Sequence, residues 1–160
     1  MTLADRLAVI NDGQVEQMGA PMELYSNPAT LFVASFIGAP QINLMQVRFD
    51  GTVLVNGDVK LQGFSDLPRD TDLMLGIRPD VLRVDPAGQF TMTVDLVEQH
   101  GGENLIYGSV SGTLGDDGEA QELCLKAPQS LLPAIDDTLT LSFEPNDAFV
   151  FNQKTGERLK

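Results

Sequence analysis

The chain has 160 residues, 10 of them Lys or Arg and 23 Asp or Glu, so its net charge is −13 at neutral pH. Phosphate backbones and anionic membranes attract proteins through clustered Lys and Arg, so this balance predicts no nucleic-acid binding. A chain with 42% hydrophobic residues is no disordered acidic tail, and at this length it buries roughly 68–70% of its unfolded surface. The composition therefore predicts one or two small folded domains.

Cysteine usage and hydropathy narrow the class of protein further. Cys124 is the single cysteine, which excludes an intramolecular disulfide and a zinc site made of several thiolates, and favours a reducing compartment. No apolar run approaches the roughly 20 residues that span a bilayer, and the N-terminus lacks the basic start and apolar run of a signal peptide. We expect a cytoplasmic protein without membrane insertion.

The first forty residues predict a hairpin followed by two short helices. Two apolar runs, 7–10 and 15–18, flank Asp12-Gly13, a dipeptide typical of tight hairpin turns. Pro21 suits a first helical turn, and Asn27 followed by Pro28 predicts the cap and start of a second helix. Gly38 then supplies a stop, so we place a domain boundary at residue 40.

Beyond residue 40 the pattern changes to short alternating runs separated by turn residues. Such runs at roughly 8 to 12-residue spacing predict a small antiparallel β-barrel, since closure removes exposed strand edges. The predicted strands span residues 44–49, 52–55, 59–62, 73–78, 81–84, 90–99, 105–110, 122–126, 139–144 and 148–151. One segment, 128–135, is the candidate for a short helix limited by Pro133.

Motifs for chemistry are sparse. The two glycine-rich patterns that bind phosphate, G-x-x-x-x-G-K-[ST] and G-x-G-x-x-G, are both absent from the sequence. We therefore expect no ATP site of the usual kind in this chain. His100 is the single histidine, which excludes a histidine-rich metal site, and a turn position is the favoured interpretation. Cys124 has no basic neighbour except Lys126, which favours a core or edge thiol over a nucleophile.

Carboxylates are abundant, so pairs arise by chance. Glu98 and Glu103 flank the Gly101-Gly102 turn and are a candidate acid/base pair, although no pocket or substrate-binding group accompanies them. The acidic run 116–119 lacks the alternating donors and distal glutamate of a calcium loop, so a solvated turn is the favoured interpretation.

Five segments carry a family resemblance. The runs 1–28 and 32–43 closely resemble the end of the ATP-binding domain in ABC importer ATPases of the maltose and glycerol-3-phosphate type. Leu75-Gly76-Ile77-Arg78-Pro79-Asp80 is similar to the G-I-R-P-E motif of their C-terminal regulatory domain, with Asp in place of Glu. The stretches 97–104 and 146–159 resemble its V-E-x-x-G-x-E stretch and its closing segment.

The resemblance implies a fold and a role. Residues 1–40 would be the C-terminal remnant of the nucleotide-binding domain, and residues 41–160 an oligonucleotide-binding-like (OB) regulatory and dimerisation barrel, the transport-associated OB (TOBE) domain. The motifs that bind ATP and Mg²⁺ precede the matched part, so the resemblance implies an ATPase parent subunit but no catalysis or cofactor in this chain. Implied partners are a second copy of the chain and the membrane permease subunits, at the cytoplasmic face of the inner membrane.

The resemblance also supplies candidate regulatory or interface residues, namely Arg78, Pro79, Glu98, Gly101, Glu103 and Asn104. Arg78 has two interpretations, a forked contact with a carboxylate at the barrel interface or a structural charge at a strand end, and we favour the structural one. Glu103 and Asn104 either shape a turn or contact a partner. We further expect that residues 1–40 are the less stable part and that the chain is dimeric.

Two alternative functions remain open at this point. One is a β-barrel that binds a small oxyanion or sugar, as related barrels of molybdate systems do, although few cationic donors are present. The other, less favoured, is a stand-alone carboxylate hydrolase, which requires a pocket holding two acids with separated pKa values.

Overall fold

The computed structural model describes residues 5–115 and 118–160. Residues 1–4, which belong to the N-terminus that was predicted to lack a signal peptide, lie outside the described residues. Asp116 and Asp117 of the acidic run also lie outside them. Among the residues that are described, no helix is both long and apolar enough to cross a membrane.

A hairpin and two short helices form the hairpin–helix segment, residues 5–40. Its elements are β1 (Leu7–Asn11), β2 (Gln14–Gly19), α1 (Pro21–Ser26) and α2 (Leu31–Phe36). The predicted hairpin is confirmed, because Asp12 and Gly13 both take the positive φ that its turn requires.

The predicted start of the second helix is wrong. Thr30, not Asn27, is the N-cap of α2, and its hydroxyl accepts a hydrogen bond from Val33 N at 3.3 Å. Thr30 has the extended backbone that a capping residue needs, whereas the side chain of Asn27 is bound to Arg158. The helix therefore begins three residues after Pro28.

The remaining residues form two five-stranded antiparallel sheets, here called the barrel. Its strands are β3 (Asn43–Phe49), β4 (Leu54–Asn56), β5 (Val59–Leu61), β6 (Asp72–Ile77), β7 (Arg83–Val84), β8 (Phe90–Gln99), β9 (Glu103–Val110), β10 (Glu122–Pro128), β11 (Thr138–Ser142) and β12 (Ala148–Asn152). The order is β10-β9-β8-β11-β7 in one sheet and β12-β6-β3-β4-β5 in the other. The sheets curl around one core, which confirms the predicted mainly β, OB-like class.

Alternation along the strands explains this core. In β3, Met45, Val47 and Phe49 are buried in the core while Arg48 is exposed, as expected of a strand with one face inward. Met92 and Leu125 of the other sheet are buried in the same cluster. The two apolar sheet faces thus cover one another.

Three barrel predictions need correction. Residues 128–135 form no helix, because Pro128 still belongs to β10 and the following backbone is held by Asn104. The strand predicted at 52–55 begins at Leu54, since the carboxylate of Asp50 accepts from the amides of Thr52 and Val53 in a turn. The strand predicted at 81–84 shrinks to its last two residues because Val81 N closes a turn onto Arg78 O.

Strand β12 joins the barrel to the hairpin–helix segment. Ala148 and Val150 face the barrel core, whereas Phe149 and Phe151 pack in a separate cluster with Ala34 of α2. The C-terminal tail covers the outer edge of β12, since Leu159 N donates to Val150 O at 2.7 Å and Asn152 N to Glu157 O at 2.8 Å. The tail also accepts a hydrogen bond from α2, because Leu31 N donates to Gly156 O.

Candidate functional site

Arg78 lies between the barrel and the two helices. It follows β6 directly and is 2% exposed. Its Nη2 donates to Tyr25 O and its Nη1 to Ala34 O, both at 3.0 Å, and Nη1 also donates to Ile37 O. Among the described residues no carboxylate forms an ion pair with Arg78, so the carbonyl oxygens stabilise its charge.

Tyr25 covers the Arg78 guanidinium from one side. The guanidinium carbon lies 4.1 Å from the centre of the Tyr25 ring, within the range of a cation–π contact. The Tyr25 hydroxyl donates to Asp80 Oδ1 at 2.8 Å. Burial, followed by the hydrogen bond to Asp80, raises the pKa of Tyr25 to about 12, and burial lowers the pKa of Arg78.

A second arginine approaches the same segment from the C-terminal tail. Arg158 Nη1 donates to Asn27 Oδ1 and, at 3.3 Å, to Pro28 O, and its guanidinium carbon lies 5.0 Å from the centre of the Phe149 ring. Arg78 and Arg158 line one cleft of about 230 Å³. We call this arrangement of the two arginines and the segment the junction.

The junction unites three of the segments that carry the resemblance. Tyr25 comes from the first, Arg78 and Asp80 from the third and Arg158 from the last. The sequence analysis singled out Arg78 but missed Tyr25 and Arg158. Their membership in the resembling segments was the available signal, but nothing in the sequence indicated that the segments meet.

Pro79 and Asn104 are buried and hold backbone in place. Pro79 O accepts from Lys126 N at 3.0 Å, which covers part of the free edge of β10. Asn104 is 1% exposed, and its Nδ2 donates to Leu131 O at 2.8 Å and to Gln129 O at 3.3 Å. Both positions thus stabilise the chain that surrounds β10.

Glu98, Gly101 and Glu103 surround the tip of the β8–β9 hairpin. Gly101 takes a φ of +68° at the exposed turn. Glu98 Oε2 lies 3.2 Å from His100 Nε2 and accepts from the Tyr107 hydroxyl at 3.4 Å. Glu103 instead pairs with Lys126 at 2.8 Å. The two carboxylates therefore have separate partners and are not arranged as an acid/base pair.

The backbone of Cys124 is bound by Asn43, a residue that the sequence analysis missed. Asn43 Nδ2 donates to Cys124 O at 2.9 Å, and Cys124 N donates to Asn43 Oδ1 at 2.7 Å. The thiol lies on the outer side of β10 but is only 7% exposed, and burial raises the pKa of Cys124 to about 11. At neutral pH the thiol is protonated, which agrees with the expected edge thiol rather than a nucleophile.

Two adjoining grooves of about 650 and 710 Å³ share the lining residues Leu44, Gln121 and Glu122. The described lining residues include three carboxylates and no Lys or Arg, so nothing there favours an oxyanion. Within the described part of the chain, no three His, Cys, Asp or Glu side chains are grouped for a metal ion.

Comparisons with known proteins show which class of protein has a barrel of this kind. Residues 75–151 match the model of the TOBE domain family. Over its whole length the chain is similar to the C-terminal part of ATP-binding subunits of ABC importers. The chain is therefore similar to the C-terminal part of these subunits, and its match to the TOBE domain family lies within the barrel.

Three of the relatives share one name, sn-glycerol-3-phosphate import ATP-binding protein UgpC. The protein of Roseobacter denitrificans is 69% identical over 160 residues, which are 100% of this chain and 45% of the relative. The proteins of Jannaschia sp. and Salmonella typhimurium are 36% and 37% identical and match 99% of this chain and 43% and 44% of their own lengths. The chain thus spans less than half the length of the curated relatives that it matches.

Proposed function

We propose that the chain is the regulatory and dimerisation region of the ATP-binding subunit of an ABC importer. The observation that carries this proposal is the 69% identity over the full chain to the UgpC protein of Roseobacter denitrificans. The parent subunit binds ATP and Mg²⁺ and hydrolyses ATP, whereas this chain holds no cofactor and performs no catalysis. We place the domain boundary at residue 40, where the hairpin–helix segment meets the barrel.

The relatives also support a proposal for the transported solute and for the partners. Their shared name assigns them to sn-glycerol-3-phosphate import, and the parent subunit acts in an importer of that class. It works at the cytoplasmic face of the membrane, in contact with permease subunits. The barrel pairs with the barrel of a second subunit, since a two-fold contact repeats one patch on both chains.

A chimaera tests the import function. The subunit of the Roseobacter denitrificans relative, with its C-terminal 160 residues replaced by this chain, is reconstituted with the relative's permease and binding protein in liposomes. We expect ATP-dependent uptake of labelled sn-glycerol-3-phosphate at a rate comparable with that of the unaltered subunit. A subunit truncated at the position of residue 40 is the control, and a well-folded chimaera without uptake would contradict the proposal.

Sedimentation tests the dimer separately. The chain is analysed by velocity sedimentation across micromolar concentrations, where a two-fold barrel contact predicts a concentration-dependent shift toward a dimer. A monomeric profile over the whole range would exclude a dimer formed by this chain alone. The result is independent of transport and of ATP.

A further inference from the structure

Five hydrogen-bond acceptors in the hairpin–helix segment are bound by only two barrel-side arginines. Arg78 binds the carbonyl oxygens of Tyr25, Ala34 and Ile37, and Arg158 binds residues 27 and 28. We propose that Arg78 and Arg158 form a clasp that fixes the orientation of the hairpin–helix segment on the barrel, so that both move as one body.

The geometry of Arg78 fits this role. Tyr25 lies in α1, while Ala34 and Ile37 lie at the end of α2, so one guanidinium reaches the C-terminal carbonyls of both helices. These carbonyls have no partner within their own helices, and a cation complements their negative end. A lysine ammonium is a point charge without this planar fork and does not hold two helix ends in a fixed relative position.

Arg158 supplies the second point of attachment. It binds the loop between α1 and α2, while its own backbone bridges to Phe151 of β12. A single attachment permits the segment to pivot about it, whereas two separated attachments oppose rotation. Arg78 follows β6 and Arg158 lies beside β12, so the clasp is anchored on two neighbouring strands.

The apolar contact between the two parts does not provide the same restraint. Ala34, Ile42, Phe149 and Phe151 form a small buried cluster between α2 and the barrel. Burial of apolar surface stabilises this contact, but it is non-directional and tolerates sliding. Hydrogen bonds weaken steeply when their angles change, so the clasp contributes to the orientation together with the Tyr25–Asp80 and Leu31–Gly156 hydrogen bonds.

The clasp would couple the motion of the barrel to the motion of the hairpin–helix segment in the parent subunit, an inference that rests on the proposed function. In the proposed function the hairpin–helix segment is the end of the ATP-binding part, and residues 75–151 of the barrel match the TOBE domain. While both arginines are bound, a rotation of the barrel rotates the segment by the same angle. The clasp is thus a positioning device between the two parts.

Hydrogen exchange of the 160-residue chain tests the clasp without reference to ATP. We compare the wild type with Arg78→Lys and Arg158→Gln, and use Arg48→Gln as the matched control, because Arg48 is a barrel arginine paired only with exposed Asp72. In both clasp variants we expect exchange in residues 21–37 to accelerate at least about tenfold, while β8 and β9 keep their protection. Equal acceleration in both parts, or none, would overturn the proposal.

A distance measurement reads the orientation directly. Spin labels are placed at exposed Met22 of α1 and exposed Lys60 of β5 through cysteine substitutions in a Cys124→Ala background. We expect a narrow distribution of the label-to-label distance in the doubly labelled chain that keeps both arginines. After Arg78→Lys or Arg158→Gln we expect broader distributions. Unchanged widths in folded variants would overturn the proposal. If the clasp passes both tests and the chimaera fails to transport, only the proposed function is lost.

Discussion

The barrel and the hairpin–helix segment are stabilised in different ways. The barrel encloses a large apolar cluster drawn from both sheets, whereas the cluster of the segment contains four buried residues, Val9, Leu24, Val33 and Ile37. A unit that buries so little surface gains little free energy from its own core. The segment therefore depends on contacts with the barrel, and in the proposed clasp polar contacts give this small unit its orientation.

Matched core truncations are expected to give the largest difference between the two regions. Leu75 and Leu24 are both 0% exposed, but Leu75 lies in the barrel core and Leu24 in the segment. We expect Leu75→Ala to lower the free energy of unfolding of the chain by about 2–5 kcal/mol, owing to lost burial and the cavity left behind. Urea denaturation followed by circular dichroism measures this loss.

Leu24→Ala is the counterpart in the segment. Since the segment can open locally, we expect the main unfolding transition of the barrel to change by less than about 0.5 kcal/mol, while hydrogen exchange in residues 7–37 accelerates. Equal losses for Leu24→Ala and Leu75→Ala would show that the two regions form one cooperative unit.

Loss of the Asn43 side chain should be the next largest effect, and it is confined to the barrel. Asn43→Ala leaves the amide and the carbonyl of Cys124 without their partners on the edge of β10. An unsatisfied buried polar group costs about 1–3 kcal/mol, so we expect a loss of about 2 kcal/mol in urea denaturation. Gln99→Ala, at an exposed position of β8, is the control, and equal small losses would contradict the role of Asn43.

A smaller effect is expected at the junction from Tyr25→Phe. The variant keeps the ring over Arg78 but removes the hydrogen bond to Asp80, so we expect a loss of about 1 kcal/mol, confined to the segment. Hydrogen exchange in residues 21–37 measures it. Tyr107→Phe, on the barrel hairpin, is the control that leaves these residues unchanged.

The same tyrosine gives the junction a pH dependence. The pKa of Tyr25 is raised from 10.0 to about 12 in the folded chain, so its contribution is complete below pH 10 and is lost as pH rises through about 12. We expect opening of residues 21–37 in this window in the wild type and a weaker dependence in Tyr25→Phe. Identical pH profiles would show that Tyr25 does not control the opening.

The smallest expected effect lies on the barrel surface. Arg48 and Asp72 form an ion pair at 2.7 Å, but their side chains are 70% and 62% exposed. Exposed pairs contribute about 0–1 kcal/mol, so Arg48→Gln should change the free energy of unfolding by less than about 1 kcal/mol, and less still at high salt. A larger loss of the free energy of unfolding in urea denaturation would show that Arg48 stabilises the barrel. Arg48→Gln would then no longer serve as the control for the clasp variants.

Local patterns sufficed for much of the fold. Alternation of apolar residues predicted β8 with its observed ends, 90 and 99, and Asp12-Gly13 predicted the first hairpin. These predictions succeed because side-chain period and turn conformation depend on neighbouring residues. The start of α2 was missed because the capping side chain of Asn27 is engaged by Arg158, a distant residue, and Thr30 caps the helix instead.

The sequence by itself determined the mainly β class, the hairpin and the family resemblance, since each depends on local pattern or on motifs within short segments. Only the tertiary structure decided that Arg78 binds helix carbonyls rather than a carboxylate, and that Asn43 and Asn104 hold distant backbone. The residues of these contacts are far apart in the chain, 131 positions in the case of Arg158 and Asn27. Which polar groups satisfy a buried donor depends on the chain segments that folding brings together, and no local pattern records that arrangement.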